Sequence, residues 1–267
     1  MAVISIKNKT KSGSLLNGNT AYATAPVAGY KVWLDAADTA TITQSGGAVS
    51  QWTDKSANAY AFTQATSAYK PTTAANTQNG KNVLTYGTND TLLSTAAAST
   101  WTFLHSTANT VFIAFKQTTS AIDAFFLTDY SGSSGSVGFA AYQENPSNLV
   151  HQVTRGVPGS YVSVVKTGAS TLGTAFTYVT VIGDPANATV ANRSDVRLKQ
   201  GSAIKNNVQS GAVDTGVPFQ SLRIGGYDTS SNEGMNGTMG EILIYDSILS
   251  ASDILTNQVY LANKWGV

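Results

Sequence analysis

The chain has 267 residues, no cysteine, 12% charged residues and a formal net charge of +1. A soluble domain usually carries roughly 25% charged residues, so hydroxyls and amides must cover this surface: 34 Thr and 28 Ser stand beside 24 Gly. Near-neutral charge supplies no field for nucleic acid, and the lack of cysteine excludes disulfides, thiolate metal sites and cysteine nucleophiles. With 42% hydrophobic residues the chain is not disordered.

In chain order, residues 1–28 read as an extended arm and residues 29–267 as one domain. No apolar run approaches the roughly 20 residues of a bilayer span. Met1–Thr10 also lacks the apolar stretch of a secretory signal, so synthesis in the cytoplasm without export is expected. Up to residue 34 there are four lysines, at 7, 9, 11 and 31, and no acid precedes Asp35. Val3, Ile4 and Ile6 can add a short strand or a plug to a partner. Lys7, Lys9 and Lys11 alternate onto one side of an extended chain. The arm is therefore expected to dock on a partner or a neighbouring subunit; a homo-oligomer is one such arrangement.

From Tyr30 onward short strands alternate with turn residues. Val111-Phe112-Ile113-Ala114-Phe115 is apolar on both faces, as a central strand should be, and Tyr178-Val179-Thr180-Val181-Ile182 reads the same way. Val196-Arg-Leu198-Lys alternates and predicts one wet face. Leu222-Arg-Ile224 runs into Gly225-Gly226, and Ile242-Leu-Ile244-Tyr follows Gly237 and Gly240. Recurrent strands with Gly, Asn, Asp and Ser between them predict an all-β, two-sheet antiparallel jelly-roll sandwich.

Only residues 250–266 look helical. Ser250 can cap, with Asp253 three residues later, and Gly266 can close the helix. Leu255, Val259 and Ala262 would share one face, with Ile254, Leu261 and Trp265 beside them. This helix is expected to pack on the sandwich.

Two blocks carry a resemblance. The first is Val32-Trp-Leu-Asp-Ala-Ala-Asp-Thr-Ala-Thr-Ile42, continuing to Val49-Ser-Gln-Trp-Thr-Asp-Lys-Ser56 and Asn79-Gly-Lys…Tyr86-Gly-Thr-Asn-Asp90. The second is Ile224-Gly-Gly-Tyr…Gly237-Thr-Met-Gly-Glu-Ile-Leu-Ile-Tyr245, ending in Tyr260-Leu-Ala-Asn-Lys-Trp-Gly266. Together they resemble the laminin-G-like branch of the concanavalin A-like lectin/glucanase superfamily. The resemblance implies a jelly roll, and it points to bacterial surface proteins and virion proteins of tailed phages. A capsid decoration protein anchored by its arm is the leading expectation, with capsid or neighbouring virion subunits as partners. A glycan-binding adhesin or receptor-binding protein attaching to a host surface is the runner-up, and a divergent glycan-active enzyme is third.

Catalytic machinery is not visible in the sequence. Retaining glucanases place two carboxyl groups about 5–5.5 Å apart, which one strand achieves with acids at i and i+2 or i+4. The three glutamates, Glu144, Glu233 and Glu241, have no acid at those offsets. Replacing any one of them by Gln is therefore expected to leave function intact, apart from any metal or sugar binding at Glu233. Asp35 reads as a loop residue bonding backbone amides. His105 and His151 read as surface or edge residues, far from any nucleophile elbow, and Gly132–Ser136 reads as a plain loop. Binding has better candidates. Tyr227, Asp228, Asn232 and Glu233 put an aromatic ring, two carboxylates and an amide in one loop, and Tyr142 is a second site. The first loop could hold Ca²⁺ through oxygen ligands, although the spacing of an EF-hand is absent. No other cofactor, no nucleic acid and no membrane is expected.

Overall fold

β-Branched and aromatic runs favour extended backbone, and the Gly, Asn and Asp between them supply the turns. The computed structural model describes residues 23–118, 123–130, 137–144, 148–155, 161–166, 172–204, 211–226 and 233–267. Its strands begin with β1 (Val32–Asp35), β2 (Ile42–Ser45), β3 (Ala48–Thr53) and β4 (Ala61–Thr63). A hairpin of β5 (Thr77–Gln78) and β6 (Lys81–Asn82) precedes β7 (Leu84–Tyr86) and β8 (Leu92–Ser94). After a four-residue helix, α1 (Phe103–Ser106), come β9 (Asn109–Gln117), β10 (Ala124–Thr128), β11 (Val137–Glu144) and β12 (Asn148–Arg155). The chain ends with β13 (Tyr161–Lys166), β14 (Thr177–Gly183), β15 (Ser194–Leu198), β16 (Arg223–Ile224), β17 (Gly237–Tyr245) and α2 (Ala251–Trp265).

The strands form two antiparallel layers, as expected for an all-β sandwich. One sheet runs β1-β17-β9-β14-β15, with β7 pairing the first half of β17 and β1 the second. The other runs β13-β12-β11-β10-β16-β8-β4-β3-β2. The two-residue period explains why the central strands are apolar on both faces. Val111, Ile113 and Phe115 of β9 point into the core between the sheets, with Val179, Val181, Ile242 and Ile244. Phe112, Ala114, Tyr178 and Leu243 point outward, where α2 covers them with Ile254, Leu261 and Trp265.

The predicted helix is present, and its caps are those the sequence announces. Ser250 Oγ accepts from the Asp253 amide at 3.2 Å, and Gly266 takes φ 69° while its amide bonds Ala262 O at 2.9 Å. Its buried face differs from the expectation. Leu255 is 49% exposed, and the sheet instead receives Ile254, Asn257, Gln258, Leu261 and Trp265. The reason is polar. Asn257 Nδ2 donates to Tyr245 OH at 3.0 Å, and Gln258 Nε2 donates to Thr180 Oγ1 and Lys199 O, each at 3.1 Å. Two amides with strong partners on the sheet rotate the helix away from the face that apolar spacing suggests.

The histidines also need correction: His105 and His151 are both fully buried, not at the surface or an edge. Register decides this for His151, which lies opposite Ala141 on the inward face of β12. Its Nδ1 meets Ser194 Oγ of the opposite sheet, and Phe139 lies 5.2 Å away. Burial pulls its pKa down to about 3, so the ring is neutral. His105 Nε2 lies 3.0 Å from Gly216 O, and burial lowers that pKa as well.

Candidate functional site

The site is assembled where the two resembling blocks meet. Asp54 prepares it: its Oδ1 accepts from the Trp33 amide at 2.6 Å and the Ser56 amide at 2.9 Å, which fixes β1 against the turn carrying Lys55. On the other side, Asn79 and Gly80 turn the β5–β6 hairpin with φ of 48° and 70°, the doubly positive backbone of a type I′ turn. Asn79 Nδ2 donates to Lys264 O at 3.1 Å and Gln78 Nε2 to Trp265 O at 2.7 Å, so the hairpin caps the carbonyl end of α2. Asn82 Nδ2 ties the same hairpin to Ala36 O at 2.8 Å.

Between β1, this hairpin and the end of α2 lies a cleft of about 750 Å³, within the range typical of small-ligand sites. Trp33, Asp35, Lys55, Tyr260 and Lys264 line it, together with Thr24, Thr39, Asn79, Lys81, Asn82 and Asn263.

Beneath it is an ion-pair network. Register pairs Asp35 of β1 with Glu241 of β17, so their Cβ atoms are about 4.5–5.5 Å apart. Lys264 Nζ lies 2.7 Å from Asp35 Oδ1 and 2.9 Å from Glu241 Oε2, and it also donates to Tyr260 OH at 2.9 Å. Glu241 Oε1 accepts from Trp33 Nε1 and Tyr260 OH, both at 2.7 Å, and Oε2 accepts from Trp265 Nε1 at 2.9 Å. Lys55 Nζ reaches Asp38 at 2.8 Å and Asp35 Oδ2 at 3.2 Å, and it stands 4.2 Å from the centre of the Trp33 ring.

The electrostatics follow from this layering. Burial raises the Glu241 pKa, with the Lys264 charge working against the rise. The Lys55 hydrogen bond lowers the Asp38 pKa. Burial opposes the charge on Lys55, yet Asp38 and Asp35 hold its pKa above the ordinary value. Burial and the neighbouring Glu241 push the Tyr260 phenol upward.

Two expectations change here. Asp35 is not a loop residue serving backbone amides alone. It ends β1, and besides accepting from the Ala37 amide at 3.1 Å it pairs with two lysines. Glu241 is not an acid without an acidic neighbour, since Asp35 lies opposite it. Searching one strand for i+2 and i+4 partners overlooks a partner supplied by the adjacent strand. The two carboxylates are cross-strand neighbours, but the ammonium of Lys264 bridges them and Glu241 is 0% exposed.

Of the binding candidates read from sequence, the two that are described, Glu233 and Tyr142, do not line this cleft. Tyr227, Asp228 and Asn232 are outside the described residues, as are Val3, Ile4, Ile6, Lys7, Lys9 and Lys11 of the arm and Gly132–Ser136. Glu233 is half-buried just before β17. Tyr142 is 8% exposed and donates to Gln152 Oε1 at 3.1 Å. Reasoning by motif missed Trp33, Lys55, Glu241 and Lys264 as a unit, because Trp33 and Glu241 are 208 positions apart. Their signal was present, since every one of them lies within the two resembling blocks.

No family model matches the chain, and no curated protein matches it in sequence. Similarity appears in solved structures. The Trypanosoma rangeli sialidase in complex with sialic acid superposes with a TM-score of 0.57 at 14% identity, over 90% of this chain and 34% of that one. The same sialidase with 2,3-difluoro-KDN gives 0.57 at 12% identity, over 92% and 36%. The Ruminococcus gnavus IT-sialidase CBM40 bound to α2,3-sialyllactose gives 0.43 at 13% identity, over 58% and 83%. The chain thus spans about a third of the sialidases' length, and at these identities the likeness to them speaks for the fold alone.

Proposed function

We propose that this chain is a non-catalytic carbohydrate-binding sandwich of the concanavalin A-like kind, displayed on a tailed-phage virion through residues 1–28. The observation that carries the non-catalytic reading is the position of Lys264. A general acid and its partner must both reach the glycosidic bond, whereas here one ammonium bridges both carboxylates beneath the surface. The open cleft is lined by amides, hydroxyls and ammonium groups beside the paired Asp35 and the half-buried Trp33, which suits reversible capture of a polyhydroxylated ligand. The virion setting rests on the resembling blocks and on the basic arm.

Three measurements test this reading. Purified protein should bind on a glycan array and release no sugar from the glycans it binds. Hydrolysis that disappears in Glu241→Gln but survives in a surface variant would overturn the non-catalytic assignment. Counting copies in purified particles tests the virion setting, for which a decoration role requires many per particle.

A further inference from the structure

We infer that the cleft selects an acidic sugar, one bearing a carboxylate, and that Lys81 is its charge partner; this rests on the carbohydrate-binding reading above. The first observation is the layering of charge. Side-chain exposure rises from 0% for Glu241 and 7% for Asp35 to 12% for Lys264 and 23% for Lys55. Glu241 therefore lies beneath Lys264, while Asp35 lines the cleft beside Lys264 and Lys55 and is paired with both. Asp38 is the more exposed acid of the network, at 36%, and it is committed to Lys55.

The second observation separates the three lysines. Lys264 is held by Asp35, Glu241 and Tyr260, and Lys55 by Asp35, Asp38 and the Trp33 ring. Lys81, in β6, also lines the cleft, yet it takes part in no ion pair among the described residues. It is a half-buried residue on a short hairpin anchored at both ends by Gln78, Asn79 and Asn82. An ammonium positioned this way can meet a carboxylate at low ordering cost.

The third observation weighs against the usual alternative, stacking of a neutral sugar on an aromatic face. Lys55 covers one side of Trp33, the edge of Tyr30 packs against that indole at 5.2 Å, and Tyr260 is only 3% exposed. Among the described residues the cleft's aromatic rings, half-buried Trp33 and buried Tyr260, are thus largely covered, which favours hydrogen bonds and charge for recognition there.

The test is a calorimetric titration of the full chain with a glucuronic-acid-terminated trisaccharide and with the glucose-terminated counterpart. The acidic probe should bind at least tenfold more tightly, and its affinity should fall about tenfold in Lys81→Gln and weaken with added salt. Circular dichroism and an unchanged melting curve would confirm that the variant is folded. Equal binding of both probes, insensitive to Lys81→Gln, would overturn the acidic selectivity while leaving carbohydrate binding standing. Displacement of the acidic probe by equimolar inorganic sulfate would reduce the site to a general anion site and overturn the sugar assignment of the cleft. Failure of both probes together with a blank glycan array would overturn the carbohydrate-binding reading itself.

Discussion

Glu241 shows how much one residue can hold. Its two oxygens accept from two indoles, a phenol and an ammonium drawn from β1 and α2. Removing one member of such a buried set leaves an uncompensated charge, at a cost of about 3–5 kcal/mol. Lys264→Met is expected to lower the unfolding free energy by that amount in urea denaturation. Glu241→Gln, which keeps one acceptor oxygen, should cost less but remain clearly measurable. A second expectation concerns pH. His151 has its pKa depressed from 6.5 to about 3 by burial, so its contribution is complete above pH 6.5 and is lost as pH falls. The loss can reach about 1.4 kcal/mol per pH unit. Unfolding free energies measured from pH 6.5 down to pH 5, above the range where most carboxylates titrate, should decline in the wild type and decline less in His151→Gln. His105 adds a slope of the same sign.

At the scale of elements, α2 is the part whose presence was most legible and whose orientation was least so. Ser250, Asp253 and Gly266 announce its ends by local chemistry, and local chemistry needs no tertiary information. Which face it buries depends on Tyr245 and Thr180, remote residues whose partnership with Asn257 and Gln258 no helical period reveals. The contact between helix and sheet is close at Gly240. A Cβ there would stand 2.9 Å from both Phe176 Cζ and Trp265 Cζ2. Gly240→Ala should therefore cost about 1–3 kcal/mol through overpacking, and Trp265→Ala about 3–5 kcal/mol through lost burial. Because the alanine methyl would occupy space that the indole vacates, the double variant should be less destabilised than the sum of the two. A thermal-melt double-mutant cycle measures that coupling, and strict additivity would show that the two do not touch.

For the whole molecule, the arm and the sandwich meet before the boundary that the sequence suggests. Val27 N donates to Asn257 Oδ1 at 2.8 Å, Val27 O accepts from Tyr245 OH at 2.7 Å, and Thr24 lines the cleft. Deleting residues 2–22 should leave the melting temperature unchanged and abolish incorporation into particles if the arm is the anchor. Deleting residues 2–28 should in addition lower stability by about 1–3 kcal/mol, because Asn257 and Tyr245 lose a partner in a buried setting. Normal occupancy of the shorter deletion would show that the arm is not the anchor.

The sequence by itself determined the layered all-β architecture, the central strands and the capped terminal helix. Hydrophobic period, turn residues and capping residues all act over a few positions, and each can be read without a partner. The cleft and its network were decided only in the tertiary structure. Asp35 and Glu241 become neighbours because β1 pairs with β17, and Lys264 reaches them because buried amides set the rotation of α2. Both are long-range choices, made by register and packing, for which no spacing along the chain is a signal. The same register turns His151 inward, against the ordinary preference of a titratable ring for water.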